Sequence, residues 1–364
     1  MGGLILLTFT YERSISELPE ASLFYLNEEM LFFDLETTGL SASRNRIYLV
    51  GLGWLEGDQV IVRQYLAEDA SDEASVLAAT LSLASEKRFT ALATFNGTTF
   101  DLPFFEKRCE KHAAVLEDVV FAACDVCSDS DTVSSSRIFS AMDHLDLYRQ
   151  IHPIRHFFPM EHFRQKDYEK LLGIGREDQY DGGKLVSVYH RFEKTKKQAD
   201  CDLLCLHNKE DVFGMFHLIS LLSCLQVKEE VSIDSLQVTS ANEVSVRFRL
   251  KEPVPISIRQ LKTTGSLLLR KTSGLAVLPL HKGALRCYLP NPNDYFYLTA
   301  EDTVVHKSVG QFVDPAFRRK AEPEECYTEF QLPSEYLDGE VHPYCENSLF
   351  ENVGKALEGF LRQV

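Results

Sequence analysis

Two rhythms of hydrophobic and polar positions divide the chain near residue 225. Before that point, short apolar runs alternate with longer amphipathic stretches. Met30-Leu31-Phe32-Phe33 is a run suited to a buried strand. Residues 47–54 and 60–65 are two more strand candidates, separated by the turn Glu56-Gly57-Asp58. Residues 72–86 read as a helix that Asp72 can cap, with Val76, Leu77, Leu81 and Leu83 as its apolar positions. Residues 91–95 form a further strand, stopped by Asn96-Gly97, and 102–112 a helix with Pro103 tolerated in its first turn. Residues 144–148 follow as a short strand. Three more helices are predicted: 163–172, ending at Gly173; 185–194; and the long apolar stretch 200–225. Residues 1–27 read as an N-terminal arm with some strand character, and 128–136, rich in Ser and Asp, as an exposed loop.

From about 230 the rhythm changes to a period of two. Val244, Val246, Phe248 and Leu250 alternate with Ser245, Arg247 and Arg249, the signature of a half-buried strand. Residues 267–270, 275–280, 284–289 and 295–298 continue the pattern with turn residues between them. Residues 349–361 read as a closing helix despite Gly354 and Gly359. The expected class is α/β: a mixed sheet flanked by helices over 28–225, then a β-rich accessory domain over 230–364.

A chain of 364 residues suits two domains. With 45% apolar and 25% charged residues it can bury a core and keep a polar surface. It has no run of eighteen apolar residues, so no membrane span is expected. The start, Gly2 to Phe9, is apolar but lacks a basic leader and a small-residue cleavage site, and reads as a strand rather than a signal peptide. Nine cysteines are scattered, with Cys124 and Cys127 a lone C-x-x-C and Cys201 and Cys205 one helical turn apart. The expectation is buried, reduced thiols, as in a cytoplasmic protein. The net charge of −16 argues against a protein that coats nucleic acid, because phosphate neutralisation drives such binding. It leaves room for an acidic centre neutralised by divalent metal.

Three acidic elements are candidates for such a centre. Asp34 and Glu36 end a buried strand, and residues two apart on a strand point to one face. Two anions side by side repel unless a cation sits between them, and carboxylate oxygens are natural ligands for Mg²⁺ or Mn²⁺. A solvated strand end is the bland alternative. Asp101 closes the segment Asn96-Gly97-Thr98-Thr99-Phe100-Asp101 and either caps the following helix or projects its carboxylate to the mouth of the sheet. Phe100 beside it is core or a base-stacking platform. His207 and Asp211 are four apart and share one helical face, either as a surface pair or as members of a site.

In this order and at these separations, the three elements resemble the DEDD exonuclease superfamily on the ribonuclease-H-like fold, and most of all its YprB-like members. Leu31 through Leu40 is similar to their first motif, Thr94 through Asp101 to the second, and His207 through Val212 to the third. His144 through Arg149 and Leu171 through Arg176 are similar to the connecting region, so the likeness covers about residues 28 to 225. It implies a metal-dependent 3′-5′ exonuclease that hydrolyses phosphodiester bonds of DNA or RNA with two ions, Mg²⁺ or Mn²⁺. Asp34 would bridge the two metals. Glu36 and Asp211 would complete the site of the attacking water. Asp101 would serve the second metal, and His207 would take the water's proton or orient it.

One departure stands out. A histidine occupies the position four before the last Asp, where the family's tyrosine subclass has its helper residue; in the histidine subclass it stands five before. Asp146 is a spare acid near the centre, read as structural or lying beside the metals. Arg44, Arg46, Lys184, Arg191, Lys194, Lys196 and Lys197 either track a nucleic-acid strand or form solvated helix ends. Tyr295, Phe296 and Tyr297 either stack bases or pack a sheet, and the β-rich domain admits a protein partner as well as nucleic acid. The competing functional reading is a catalytically weak or inactive nucleic-acid-binding or scaffold protein on the same fold.

Overall fold

The computed structural model describes residues 6–116, 137–180, 182–228, 231–239, 242–332, 340–341 and 347–363. Cys124, Cys127 and the expected loop at 128–136 lie outside the described residues. The chain divides into two units: Met1–Arg155 with Met160–Leu222, and His156–Pro159 with Ser223–Val364.

The first unit is built on six strands: β1 (Leu7–Ser14), β2 (Met30–Thr37), β3 (Ile47–Glu56), β4 (Gln59–Leu66), β5 (Ala91–Thr94) and β6 (Asp143–Asp146). Their order is β1-β4-β3-β2-β5-β6. The first four are antiparallel, and β5 and β6 run parallel to β2. Leu7–Ser14 falls inside the expected arm, yet it pairs along its whole length with β4 and forms the sheet's edge strand. The main helices are α1 (Glu73–Lys87), α2 (Asp101–Lys111), α3 (Leu147–Ile151), α4 (Gln165–Leu171), α5 (Gly182–Thr195) and α6 (Gln198–Leu218), with a single turn at Arg137–Ser140.

Strand alternation explains how the sheet acquires two cores. On β2, Leu31, Phe33 and Leu35 join one buried cluster with residues of α1 and α2. Phe32, Asp34 and Glu36 therefore face the other way, toward α6, where Phe32 packs on Phe216 with ring centroids 3.9 Å apart. A second cluster on β3 and β4 gathers Tyr48, Leu49 and Leu66 with Leu185, Val188 and Tyr189 of α5 and Cys201, Leu204 and Cys205 of α6. Strands β2 and β3 are apolar almost throughout because they are covered on both faces.

Several boundaries differ from the sequence reading for local reasons. Asp72 precedes α1, but its carboxylate accepts from the Glu68 and Asp69 amides at 3.1 and 3.2 Å instead of capping the helix. Strand β6 stops at Asp146, whose side chain caps α3. The long apolar stretch is α-helical only to Leu218 and continues as a 3-10 segment over Ile219–Lys228. By length and composition alone Gln198–Lys228 is apolar enough to cross a bilayer, although it contains no unbroken run of eighteen apolar residues. Of its most apolar window, 72% is buried within the protein, so its hydrophobicity is spent on the core. The six described free cysteines are all buried.

The second unit is β-rich. Its main sheet has the order β14-β10-β9-β8-β7-β15, and a three-stranded sheet has the order β12-β11-β13. The strands are β7 (Ser232–Thr239), β8 (Glu243–Lys262), β9 (Gly265–His281), β10 (Ala284–Tyr288), β11 (Tyr295–Leu298), β12 (Thr303–His306), β13 (Arg318–Lys320), β14 (Tyr327–Gln331) and β15 (Glu340–Val341). The segments 267–270 and 275–280 are one continuous strand, β9, opposite the 20-residue β8. Pro253 and Pro255 do not end β8. They fall where its register with β9 shifts, since a residue without an amide hydrogen is tolerated at a bulge. Helix α7 (Asn347–Gln363) packs on β10 and β9.

Candidate active site

The site forms where α6 crosses the C-terminal end of β2. What allows that approach is a pair of glycines on β3. Gly51 lies opposite Asp34 in the ladder and Gly53 opposite Phe32. A β-carbon on Gly51 would stand 2.8 Å from Cγ of Asn208 and Cγ2 of Val212; one on Gly53 would stand 2.7 Å from Phe216 and Val212. The helix thus presses Asn208, Val212 and Phe216, four apart, onto bare backbone. His207 and Asp211 are carried to the strand end with them.

The acids converge there. Asp34, Asp101 and Asp211 line one cleft of about 780 Å³, together with Phe95, Phe100 and Tyr148. Behind Asp211, Nε2 of His207 lies 3.3 Å from Oδ2 of Asp211 and 3.5 Å from Oε1 of Glu36. Ligand atoms of Glu36, His207 and Asp211 all fall within 4.8 Å of one another. The described residues therefore bring all five sequence candidates to one place. The alternative of a helix cap at Asp101 is not what forms: Asp101 is the first residue inside α2, and the cap position before it is Phe100.

Each acid is held by a neighbour, and most of these neighbours are absent from the sequence reading. Asn208 donates to Oδ2 of Asp34 at 2.7 Å and accepts from Gln64 at 2.7 Å. Tyr48 donates to Glu36 at 3.5 Å. Arg176 pairs with Oδ1 of Asp211 and approaches Glu169 at 2.6 Å. Asp178, fully buried, accepts from Nδ1 of His207 at 2.5 Å and from Lys166 at 2.9 Å. Asp146 accepts from the amides of Asn96 and Thr98 at 2.9 and 3.1 Å and from the Thr98 hydroxyl at 2.6 Å. It therefore clamps the loop that delivers Asp101, the structural role expected for it. Asn208 was visible inside the third motif. Asp178 and Gln64 carried no periodic or motif signal, because only the fold brings them in.

The electrostatics are those of a crowded anionic site. Burial, reinforced by Asp211, Asp101 and Glu36, holds the Asp34 carboxyl well above the ordinary carboxylate range. Burial pushes Glu36 up to about 7, against the opposing pull of His207, and pushes Asp101 up to about 7 as well. Burial pulls His207 down, but Glu36, Asp211 and the Asp178 hydrogen bond outweigh it and hold the imidazole above its usual value. Oxygen-rich donors with one imidazole suit a divalent metal.

Three of the seven candidate cations are already engaged. Arg46 pairs with Glu193, Arg191 with Asp200, and Lys196 bonds the Glu68 carbonyl. In the β-rich unit, Arg319 lies 4.1 Å over Tyr297, and Arg318 and Lys307 lie 4.8 and 5.6 Å over Phe296. These aromatic faces are covered by the unit's own side chains, which favours the sheet-packing reading. Phe100 packs against the core and also lines the cleft.

A mixed sheet of this order, with helices on both faces and acids at the end of its central strand, defines the ribonuclease-H-like class of α/β proteins. The sequence model of the RNase_H superfamily matches residues 31–223, and the chain belongs to that superfamily. The uncharacterized protein YprB of Bacillus subtilis (strain 168) is 36% identical over 85 residues, 23% of this chain and 20% of the relative. The aligned stretch thus spans a fifth of that relative's length. The family B DNA polymerase from the hyperthermophilic archaeon Pyrobaculum calidifontis is similar at a TM-score of 0.38 with 18% identity, over 55% of this chain and 25% of the polymerase. E. coli Exonuclease I in complex with a 5cy-dA13 oligonucleotide is similar at 0.28 with 13% identity, over 92% of this chain and 70% of the exonuclease.

Proposed function

We propose that this chain is a divalent-metal-dependent nuclease that hydrolyses phosphodiester bonds of DNA or RNA from the 3′ end, using two ions, Mg²⁺ or Mn²⁺. The observation that carries the reading is the convergence of Asp34, Asp101 and Asp211 on one cleft, with Glu36 and His207 directly behind. Asp34, Glu36, Asp101 and Asp211 are the residues that would hold the metals. Bound there, divalent ions supply Lewis-acid stabilisation of the charge that builds on the phosphate oxygens.

The chain's own residues do the remaining work. Asn208 and Gln64 fix the rotamer of Asp34 before any ion arrives. Asp146 fixes the approach of Asp101. Phe95, Phe100, Tyr148 and Phe163 line the cleft and offer faces on which terminal bases stack. Arg164 lines the cleft, paired with Asp167 at 3.1 Å, and supplies positive charge to a backbone phosphate. The β-rich unit is left to contact substrate or a protein partner; Val309, Phe312 and Phe317 are exposed on it.

The second reading is a nucleic-acid-binding protein on this fold with little or no chemistry. Arg176 favours it, because a guanidinium already neutralises one oxygen of Asp211. Single-turnover digestion of end-labelled single-stranded and duplex DNA and RNA, with Mg²⁺ or Mn²⁺, separates the two. Metal-dependent shortening from the 3′ end, lost in Asp34→Ala, is the expected result. Equal activity in wild type and Asp34→Ala would sink the catalytic reading. Binding without cleavage of any substrate would transfer it to the second.

A further inference from the structure

The family resemblance gives His207 the task of taking the water's proton or orienting the water. We infer that His207 is instead a metal ligand through Nε2, completing a Glu36–His207–Asp211 site that takes a transition divalent ion such as Mn²⁺, Co²⁺ or Zn²⁺ in preference to Mg²⁺. The inference rests on the metal-dependent reading of this centre.

Position speaks first. The cleft is lined by Asp34, Asp101 and Asp211, with His207 and Glu36 set back from it. His207 is buried behind Asp211, its side chain 7% exposed. A ligand needs no access to substrate. It needs only a lone pair aimed where its fellow ligands aim theirs.

The imidazole is oriented for that role. Oδ2 of Asp178 holds Nδ1 at 2.5 Å, so the hydrogen of the neutral ring sits on Nδ1 and the lone pair on Nε2. Asp178 is fully buried, and its charge is balanced by Lys166 at 2.9 Å on the same oxygen, while Oδ1 accepts from the Tyr180 amide at 2.9 Å. A buried carboxylate on the far nitrogen is the arrangement by which proteins fix the tautomer and raise the basicity of a metal-bound histidine.

The spacing agrees. Nε2 is 3.3 Å from Oδ2 of Asp211 and 3.5 Å from Oε1 of Glu36. Adjacent ligands about 2.1 Å from a common ion stand roughly 3 to 3.5 Å apart. Arg176 occupies the other oxygen of Asp211 and leaves Oδ2 turned to the histidine. One nitrogen among carboxylate oxygens moves selectivity from Mg²⁺ toward the later first-row ions. Asp34 and Asp101 remain an oxygen-only pair.

The full chain loaded with one equivalent of Mn²⁺ and observed by pulsed electron paramagnetic resonance tests this directly. The expected result is ¹⁴N modulation from a coordinated imidazole, abolished in His207→Gln, with Mn²⁺ affinity about 10- to 100-fold weaker in Asp178→Asn. Circular dichroism of each variant checks that the fold is retained. Mn²⁺ binding that depends on Asp34 but shows no ¹⁴N coupling would overturn the assignment of His207 and leave the nuclease reading standing. So would ¹⁴N coupling that survives His207→Gln. Failure of the wild-type chain to bind Mn²⁺ at all would overturn both.

Discussion

Replacing Gly51 with alanine tests the packing that assembles the site. The added β-carbon would lie 2.8 Å from Cγ of Asn208 and from Cγ2 of Val212, and closer still to Oδ1 of Asn208. Favourable carbon contacts begin at about 3.5 Å, so α6 must retreat by about 1 Å or Asn208 must swing away. Overpacking of this kind costs about 1–3 kcal/mol. A displaced Asn208 also loses its bond to the Asp34 carboxylate, and a hydrogen bond to a charged group contributes about 1.5–3 kcal/mol. The expected loss is about 2.5–6 kcal/mol. At roughly 2–4 °C per kcal/mol for a unit of this size, Tm falls by about 5–24 °C in thermal unfolding followed by circular dichroism. Single-turnover cleavage falls by about 100-fold, because a 1 Å misplacement of catalytic groups has that effect. Gly183→Ala is the control: it lies in the first turn of α5, with no atom within 4 Å of its β-position. The reasoning fails if Gly51→Ala melts with wild type and cleaves as fast.

Three further outcomes are expected. Glu73→Gln leaves Arg108 buried without its charge partner, since Glu73 accepts from Arg108, His112 and the Ile47 amide; a loss of about 3–5 kcal/mol is expected in urea unfolding, and a loss below about 1 kcal/mol would show that the network is dispensable. Asp146→Ala strips the acceptor from the Asn96 and Thr98 amides; cleavage is expected to drop with Tm, and a variant that melts lower but cleaves normally would remove Asp146 from the delivery of Asp101. The third concerns pH in buffer without divalent ions. Glu36 moves from an ordinary 4.5 to about 7 on folding, so between those values the folded state binds more protons than the unfolded. Its contribution is greatest below pH 4.5 and is lost as pH rises to about 7, an interval worth roughly 3 kcal/mol. Glu36→Gln therefore gains stability relative to wild type between pH 5 and about 8, and saturating Mn²⁺ narrows the difference; parallel pH profiles would refute the account.

Much of the fold was legible because it rests on local periodicity. The doubly covered strands announce themselves as unbroken apolar runs, as Met30 to Phe33 does, and the β-rich unit announces itself by alternation at Val244 to Leu250. The acids of the site were legible for a related reason. Asp34 and Glu36 are anomalies in an apolar strand, and His207 and Asp211 are anomalies in an apolar helix. Edge strand β1 was less legible, because half of an edge strand's residues face solvent and its pattern is weak.

The tertiary structure alone decided how these anomalies meet. Gly51 and Gly53 look like weak points of a strand, yet their missing side chains set the distance between β3 and α6. Asp178 lies in an irregular segment 29 residues before His207, and no periodic rule connects them. A sequence states which side chains will be buried, because burial follows from the rhythm of each element. It does not state which buried polar atoms will face one another, because that depends on how closely two elements approach. Here the approach of one helix to one strand turns four acids and a histidine from separate clues into a single charged centre.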